Sequence, residues 1–303
     1  MIKSPRTSRF AAALVATCLL GLTACGSVSS SSDAFSVNGT GYSQDDFNKL
    51  SEVLTDAGQF TAINGKIKTA DAIVVLRTLI RYEAFLQFTK DNDVKILETD
   101  KAEVLKNANA DEKFPSYPKP LQDVLINFNV ADVTLKKMAP PAIGKIEKLY
   151  SDSPATAGVL CLSHILVKTE AEAQTVLADL KSGTKFADEA AKKSIEPGAD
   201  KSGGSLANGN QPCQALASLQ TSFDKDFMIG AVAAKPGVPT GPVKSSFGYH
   251  IILSAPFADV KDSVATVVAE NPGTTLLAGY MSTTDIKVNS TYGVWNGATA
   301  TIS

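Results

Sequence analysis

The strongest constraint on this chain is a pair of apolar, β-branched runs, His164-Ile165-Leu166-Val167 and His250-Ile251-Ile252, each opened by one of the only two histidines in the sequence. Runs of this composition form buried strands, so both imidazoles are expected to project from neighbouring strands of one sheet. The other polar candidates for chemistry lie between the two runs. Residues 161–257 therefore organise the rest of the chain.

Within that stretch the pattern reads strand 162–167, helices 171–181 and 185–193, a glycine-rich loop, helix 222–232, and strands 242–245 and 249–253. Leu177, Leu180, Phe186 and Ala190 supply apolar helix faces toward a sheet, as in a small α+β domain. No Cys/His spacing matches a metal site, and neither metal nor cofactor is expected.

The N-terminus has the composition of an export signal. Lys3, Arg6 and Arg9 precede an apolar stretch at 10–22, too short for a comfortable membrane span but suited to a signal core. It ends Leu22-Thr23-Ala24-Cys25-Gly26, which looks like a lipobox, with residues 1–24 removed and Cys25 lipidated; an ordinary secretory cleavage site is the alternative. Residues 25–33 then form a polar tether. Without the signal the chain holds 26 basic against 31 acidic groups, which argues against nucleic acid as a partner. An exported chain meets an oxidising compartment, where Cys161 and Cys213 would pair as a disulfide, against the alternative of two separately buried thiols.

Residues 34–157 read as a helical domain. Phe35-Ser36-Val37 followed by Asn38-Gly39 suggests a strand and a turn, and Ser43 caps a helix carrying Phe47, Leu50 and Leu54 on one face. A longer helix at 69–89 is apolar on more than one side, as expected of a central helix. Further amphipathic stretches fall near 100–107, 120–128, 131–138 and 142–150, interrupted by proline-rich segments. After 158–257, residues 258–303 suggest two helices and a strand at 286–288. We expect this tail to return to the N-terminal helices, its strand beside Phe35-Ser36-Val37.

Five separated motifs, His164-Ile165-Leu166-Val167, Gly203-Gly204-Ser205-Leu206, Pro236-Gly237, Gly241-Pro242-Val243 and Phe247-Gly248-Tyr249-His250-Ile251-Ile252, resemble the parvulin family of prolyl isomerases in order and spacing. With the lipobox and helical flanks, the chain is similar to foldase lipoproteins of the PrsA and SurA type. The resemblance implies an α+β chain: a helical, chaperone-like domain built from the N-terminal segment and the C-terminal tail, with an inserted parvulin domain of antiparallel sheet and surrounding helices. His164 and His250 would face each other beneath the site and share hydrogen bonds with Ser245; their plain alternative is a structural one, core histidines that hold the sheet. Glu196 stands where the family places a Cys or Asp facing the amide, although an exposed loop carboxylate explains Glu196-Pro197-Gly198 equally simply. Leu206, Leu219, Phe223 and Phe247 match the proline pocket and Gln220 a polar position beside it; each would otherwise be ordinary core. Leu219 and Phe223, four apart, would share one helical face.

Two departures stand out. Residues 207–217 replace a shorter family stretch and carry Cys213, and Ser205 replaces an Asp. The activity implied is rotation of Xaa-Pro bonds in unfolded or newly exported polypeptides, at a membrane reached through the Cys25 lipid on the extracytoplasmic side. A holdase-type chaperone with little isomerase activity is the alternative.

Overall fold

The computed structural model describes residues 32–63 and 66–303. The expected signal peptide, the lipidation site Cys25 and nearly all of the tether lie outside the described residues.

The first hairpin, β1 (Asp33–Val37) and β2 (Thr40–Ser43), turns at Asn38 and Gly39, with φ of 47° and 80°. Asn and Gly tolerate this left-handed region best, which is why the dipeptide marks a tight turn. Ser43 caps α1 (Gln44–Asp56): its Oγ accepts from the Asp46 N–H at 3.1 Å. Phe47, Leu50 and Leu54 form the buried stripe of α1. A short hairpin, β3 (Ala62–Ile63) and β4 (Lys66–Ile67), leads into α2 (Thr69–Asp91). Buried Val75, Leu76, Leu79, Ile80, Phe85 and Phe88 spread around α2, as befits a helix covered on several sides.

After α3 (Glu98–Ala108), α4 (Lys119–Lys136) runs unbroken where the sequence suggests two helices. The polar Asn129 interrupts the apolar pattern but not the backbone, and its Nδ2 donates to the Leu125 carbonyl one turn back at 2.7 Å. α5 (Ile143–Asp152) begins just beyond Pro140-Pro141.

The middle of the chain contains β5 (Val159–Leu160), β6 (Leu162–Val167), α6 (Glu170–Lys181), α7 (Phe186–Lys193), α8 (Ala199–Ser202), β7 (Gln214–Ala215), α9 (Leu216–Ser222), α10 (Lys225–Ala233), β8 (Thr240–Ser245) and β9 (Gly248–Ser254). Strands β6, β9 and β8 form an antiparallel sheet in that order. The helix expected over 222–232 begins at Lys225, and a separate helix not expected from the sequence, α9, ends just before it at Ser222. Asp224 separates the two by capping α10, its carboxylate accepting from the Asp226 and Phe227 N–H groups at 2.9 and 3.3 Å. Phe223 at the junction is extended, with φ −111° and ψ 156°.

The tail supplies α11 (Phe257–Glu270), α12 (Pro272–Thr283), β10 (Ile286–Val288) and a small hairpin, β11 (Trp295–Asn296) with β12 (Thr301–Ile302). β10 pairs with β1 antiparallel, Phe35 opposite Val288 and Val37 opposite Ile286. Leu276, Leu277, Met281, Ile286 and Ile302 share one apolar core with Phe35, Phe47, Leu76, Ile80 and Phe85. The first and last parts of the chain thus bury their apolar surface against each other.

Candidate functional site

Side chains alternate across the sheet, and that alternation builds the site. Ile165, Val167 and Ile251 on one face pack with Ala173 and Val176 of α6 and Ala190 of α7. On the other face, Leu162 and Ile252 pack with Phe227 and Met228 of α10, and His164 and His250 lie among them. His164 pairs with Ile252 and His250 with Leu166, so the two histidines are diagonal neighbours. Their rings stack with centroids 5.4 Å apart and planes inclined by 15°, and the two Nδ1 atoms are 3.2 Å apart. Phe227 meets both imidazoles edge-on, at 5.7 and 5.1 Å, and stacks on Phe223 at 5.1 Å.

Hydrogen bonds join these groups into one polar chain. Ser245 Oγ accepts from the Phe247 N–H at 3.1 Å and lies 2.8 Å from His250 Nε2. Either direction fits these distances; when the serine donates to Nε2, His250 carries its proton on Nδ1 and donates to His164 Nδ1. His164 then holds its proton on Nε2. That atom is buried without a hydrogen-bond partner, and the Glu196 carboxylate stands 3.8 Å away. Burial pushes both imidazoles down to about 4, with the neighbouring imidazole adding to the shift at His250. Both rings are neutral at physiological pH.

Above them opens a cleft of about 570 Å³, whose lining includes His164, Glu196, Gly204, Leu206 and Phe223. Gly204, at φ 81°, lets the loop lie against β6: a Cβ there would sit 2.4 Å from the His164 carbonyl. The His164 N–H donates to the Gly204 carbonyl at 2.8 Å and the Leu206 N–H to the Leu162 carbonyl at 2.9 Å, which fixes Leu206 at the cleft. Glu196 is held from the other side, where the Ile195 N–H donates to the Leu166 carbonyl at 2.8 Å.

The unusual 207–217 segment is fastened at its far end. Cys213 is disulfide-bonded to Cys161, and β7 pairs with β5 immediately beyond it. Gln214 Nε2 donates to the Leu206 carbonyl at 2.7 Å and lines the cleft with Asn208. Among the described residues no group of His, Cys, Asp or Glu is arranged to hold a metal ion.

His164, Glu196, Leu206 and Phe223 therefore come together at the cleft, with His250 and Ser245 beneath it. Three other residues expected at the pocket are elsewhere. Leu219 is 2% exposed in the core beside Leu216 and Phe227, because the break after α9 turns Phe223 away from its helical face. Gln220 points toward the tail, its Nε2 donating to the Gly297 carbonyl at 3.2 Å. Phe247 sits in the β8–β9 turn, 67% exposed and outside the cleft lining. Sequence reasoning missed Phe227, which joins the pocket ring Phe223 to both histidines. The available signal was the cap at Asp224, which starts an apolar helical run at Phe227-Met228.

This cleft, with its floor of paired imidazoles on an antiparallel sheet, has the arrangement that the parvulin-like motifs lead one to expect. Residues 164–255 match the Rotamase family, a PPIC-type PPIASE domain. The chain is 42% identical over 103 residues to a foldase protein PrsA of Clostridium kluyveri, covering 34% of this chain and 27% of that protein. It is 34% identical over 129 residues to a foldase protein PrsA of Clostridium botulinum, covering 42% of this chain and 35% of the relative. Among solved structures, PrsA from Bacillus subtilis matches 83% of this chain and 92% of its own at 22% identity, with a TM-score of 0.30.

Proposed function

We propose that this chain is an extracytoplasmic foldase that catalyses cis-trans isomerisation of Xaa-Pro bonds in exported polypeptides. The observation carrying the proposal is the His164–His250–Ser245 hydrogen-bonded floor beneath a cleft that presents Glu196, Leu206 and Phe223 together. Rotation about a prolyl amide makes and breaks no bond; it must overcome resonance, a barrier of roughly 20 kcal/mol. Leu206 and Phe223 offer apolar surfaces to the pyrrolidine ring. The Glu196 carboxylate beside the substrate carbonyl opposes the resonance form with negative oxygen and double-bonded nitrogen, so the twisted amide gains relative to the planar one. His164 and His250, neutral and bonded to one another, act as positioning residues that keep the floor in place.

In this reading, residues 158–257 are the isomerase domain, inserted into a helical domain made of 34–157 and 258–303. The helical part holds unfolded segments of the client. Cleavage after Ala24 and lipidation of Cys25 attach the protein to a membrane on its extracytoplasmic side, a reading supported by the basic start, the apolar 10–22 stretch and the small residues before Cys25.

A protease-coupled assay on an Xaa-Pro peptide tests the activity: the wild type should accelerate isomerisation, and folded Phe223→Ala should be much slower. Equal rates for the two would remove the catalytic claim. Labelling with radioactive palmitate tests the anchor, and wild-type label remaining on Cys25→Ala would exclude it.

A further inference from the structure

Arg77 and Arg81 are the only arginines outside the first 31 residues, the remaining cationic side chains there being lysines. They stand one turn apart on α2 and line the same cleft, about 370 Å³, which α2 forms with α9, α12 and the tail hairpin. The guanidinium fork suits bidentate recognition of a carboxylate in a way that a lysine does not. Among the described residues Arg77 has no ion-pair partner. Arg81 meets Asp132 at 3.4 Å, with both side chains about half exposed, so the pair is weak and easily exchanged for an incoming carboxylate.

The rest of the cleft is largely apolar. Val74 on α2 is 55% exposed, and Leu277 and Met281 of α12 lie across from it. Trp295 completes the lining, and its buried indole Nε1 has no hydrogen-bond partner. The nitrogen is enclosed, so what Trp295 offers the cleft is the apolar face and edge of its ring.

We infer that this cleft binds extended polypeptide segments in which an Asp or Glu adjoins apolar side chains, the carboxylate on Arg77 and Arg81 and the apolar side chains against Val74, Leu277, Met281 and the Trp295 ring. Helix α9 separates this cleft from the prolyl site. Ala217 and Gln220 of α9 line the arginine cleft, whereas Phe223, just beyond α9, lines the other. A helix is about 10 Å across, a distance that about four extended residues span. One continuous chain can therefore cross α9 and occupy both clefts, which favours an internal acidic segment over a chain terminus. The link to isomerisation rests on the function proposed above; carboxylate binding does not.

Trp295 is the single tryptophan of the chain and reports the cleft directly. Its emission should shift and saturate when the full chain is titrated with a proline-free, C-terminally amidated peptide of alternating Asp and Leu. Replacing Asp by Asn in the peptide, or combining Arg77→Gln with Arg81→Gln in the protein, should weaken binding at least tenfold. Circular dichroism checks that the variant is folded, and single Arg77→Lys, which keeps the charge and loses the fork, should weaken binding severalfold in any case. Equal affinity for the Asn peptide, wild-type affinity in both variants, or equal affinity for a neutral peptide bearing only a free C-terminal carboxylate would each overturn the inference. A substrate with Xaa-Pro about four residues from an acidic-apolar stretch should show a raised KM in the double variant, while a short Xaa-Pro peptide should not. Saturable binding of the Asp peptide by a protein without isomerase activity would sink the foldase reading and leave this one standing.

Discussion

His164 and His250 lie on adjacent strands but not opposite each other: His164 faces Ile252, His250 faces Leu166, and the two Nδ1 atoms meet diagonally at 3.2 Å. This offset leaves Ser245 below His250 and the Glu196 carboxylate near the outer nitrogen of His164. The polar line thus runs from the sheet edge to the cleft through two neutral rings.

The depressed imidazoles make stability depend on pH. Folded-state values of about 4 lie below the ordinary 6.5, so the unfolded chain binds more protons between these values. Stability contributed by the neutral pair is fully present above about pH 6.5 and is lost as pH falls toward 4. Urea midpoints measured across that window should fall more steeply in the wild type than in His250→Gln. Identical slopes would show that the rings do not titrate this way.

Ser245→Ala removes the group that serves both His250 Nε2 and the Phe247 N–H. Leaving a buried nitrogen unsatisfied costs about 1–3 kcal/mol, so the urea midpoint should drop with little change in slope. Isomerase activity should fall less than in Phe223→Ala, because the hydroxyl supports the floor and touches no substrate.

Glu196→Gln should lower kcat/KM for an Xaa-Pro peptide by roughly tenfold, equivalent to about 1.4 kcal/mol of transition-state stabilisation. Its side chain is 43% exposed, so the melting temperature should hardly move. Unchanged kinetics would return Glu196 to the role of a surface carboxylate.

The disulfide closes a span of 52 residues between Cys161 and Cys213. Chain entropy alone assigns such a loop about 4 kcal/mol, and reduction or Cys213→Ser should lower stability by up to that amount. Thiol counting after denaturation without reductant should find neither cysteine reactive.

Local patterns made many of these elements legible. Ser43 with Asp46, Asn38-Gly39, and the β-branched runs at His164 and His250 each encode their backbone through neighbours in sequence, and the structure has a cap, a turn and two strands there. The pairing of Phe35-Ser36-Val37 with Ile286-Lys287-Val288 was also readable, since an alternating strand near the end of the chain needs an edge to join. The division of the site residues was less so. Leu206, Leu219, Phe223 and Phe247 look alike as apolar residues at motif positions, yet two line the cleft, one is core and one is exposed.

Sequence by itself determined strands β1, β6, β8, β9 and β10, most helices, and the histidine, serine and glycine motifs, because periodicity, capping and turn chemistry act over a few residues. Tertiary structure decided which face of α9 meets core, that Phe227 bridges Phe223 to both imidazoles, and that two arginines of α2 share a cleft with Trp295 of the tail. Those outcomes depend on packing between segments far apart in the chain, and no local pattern carries that information.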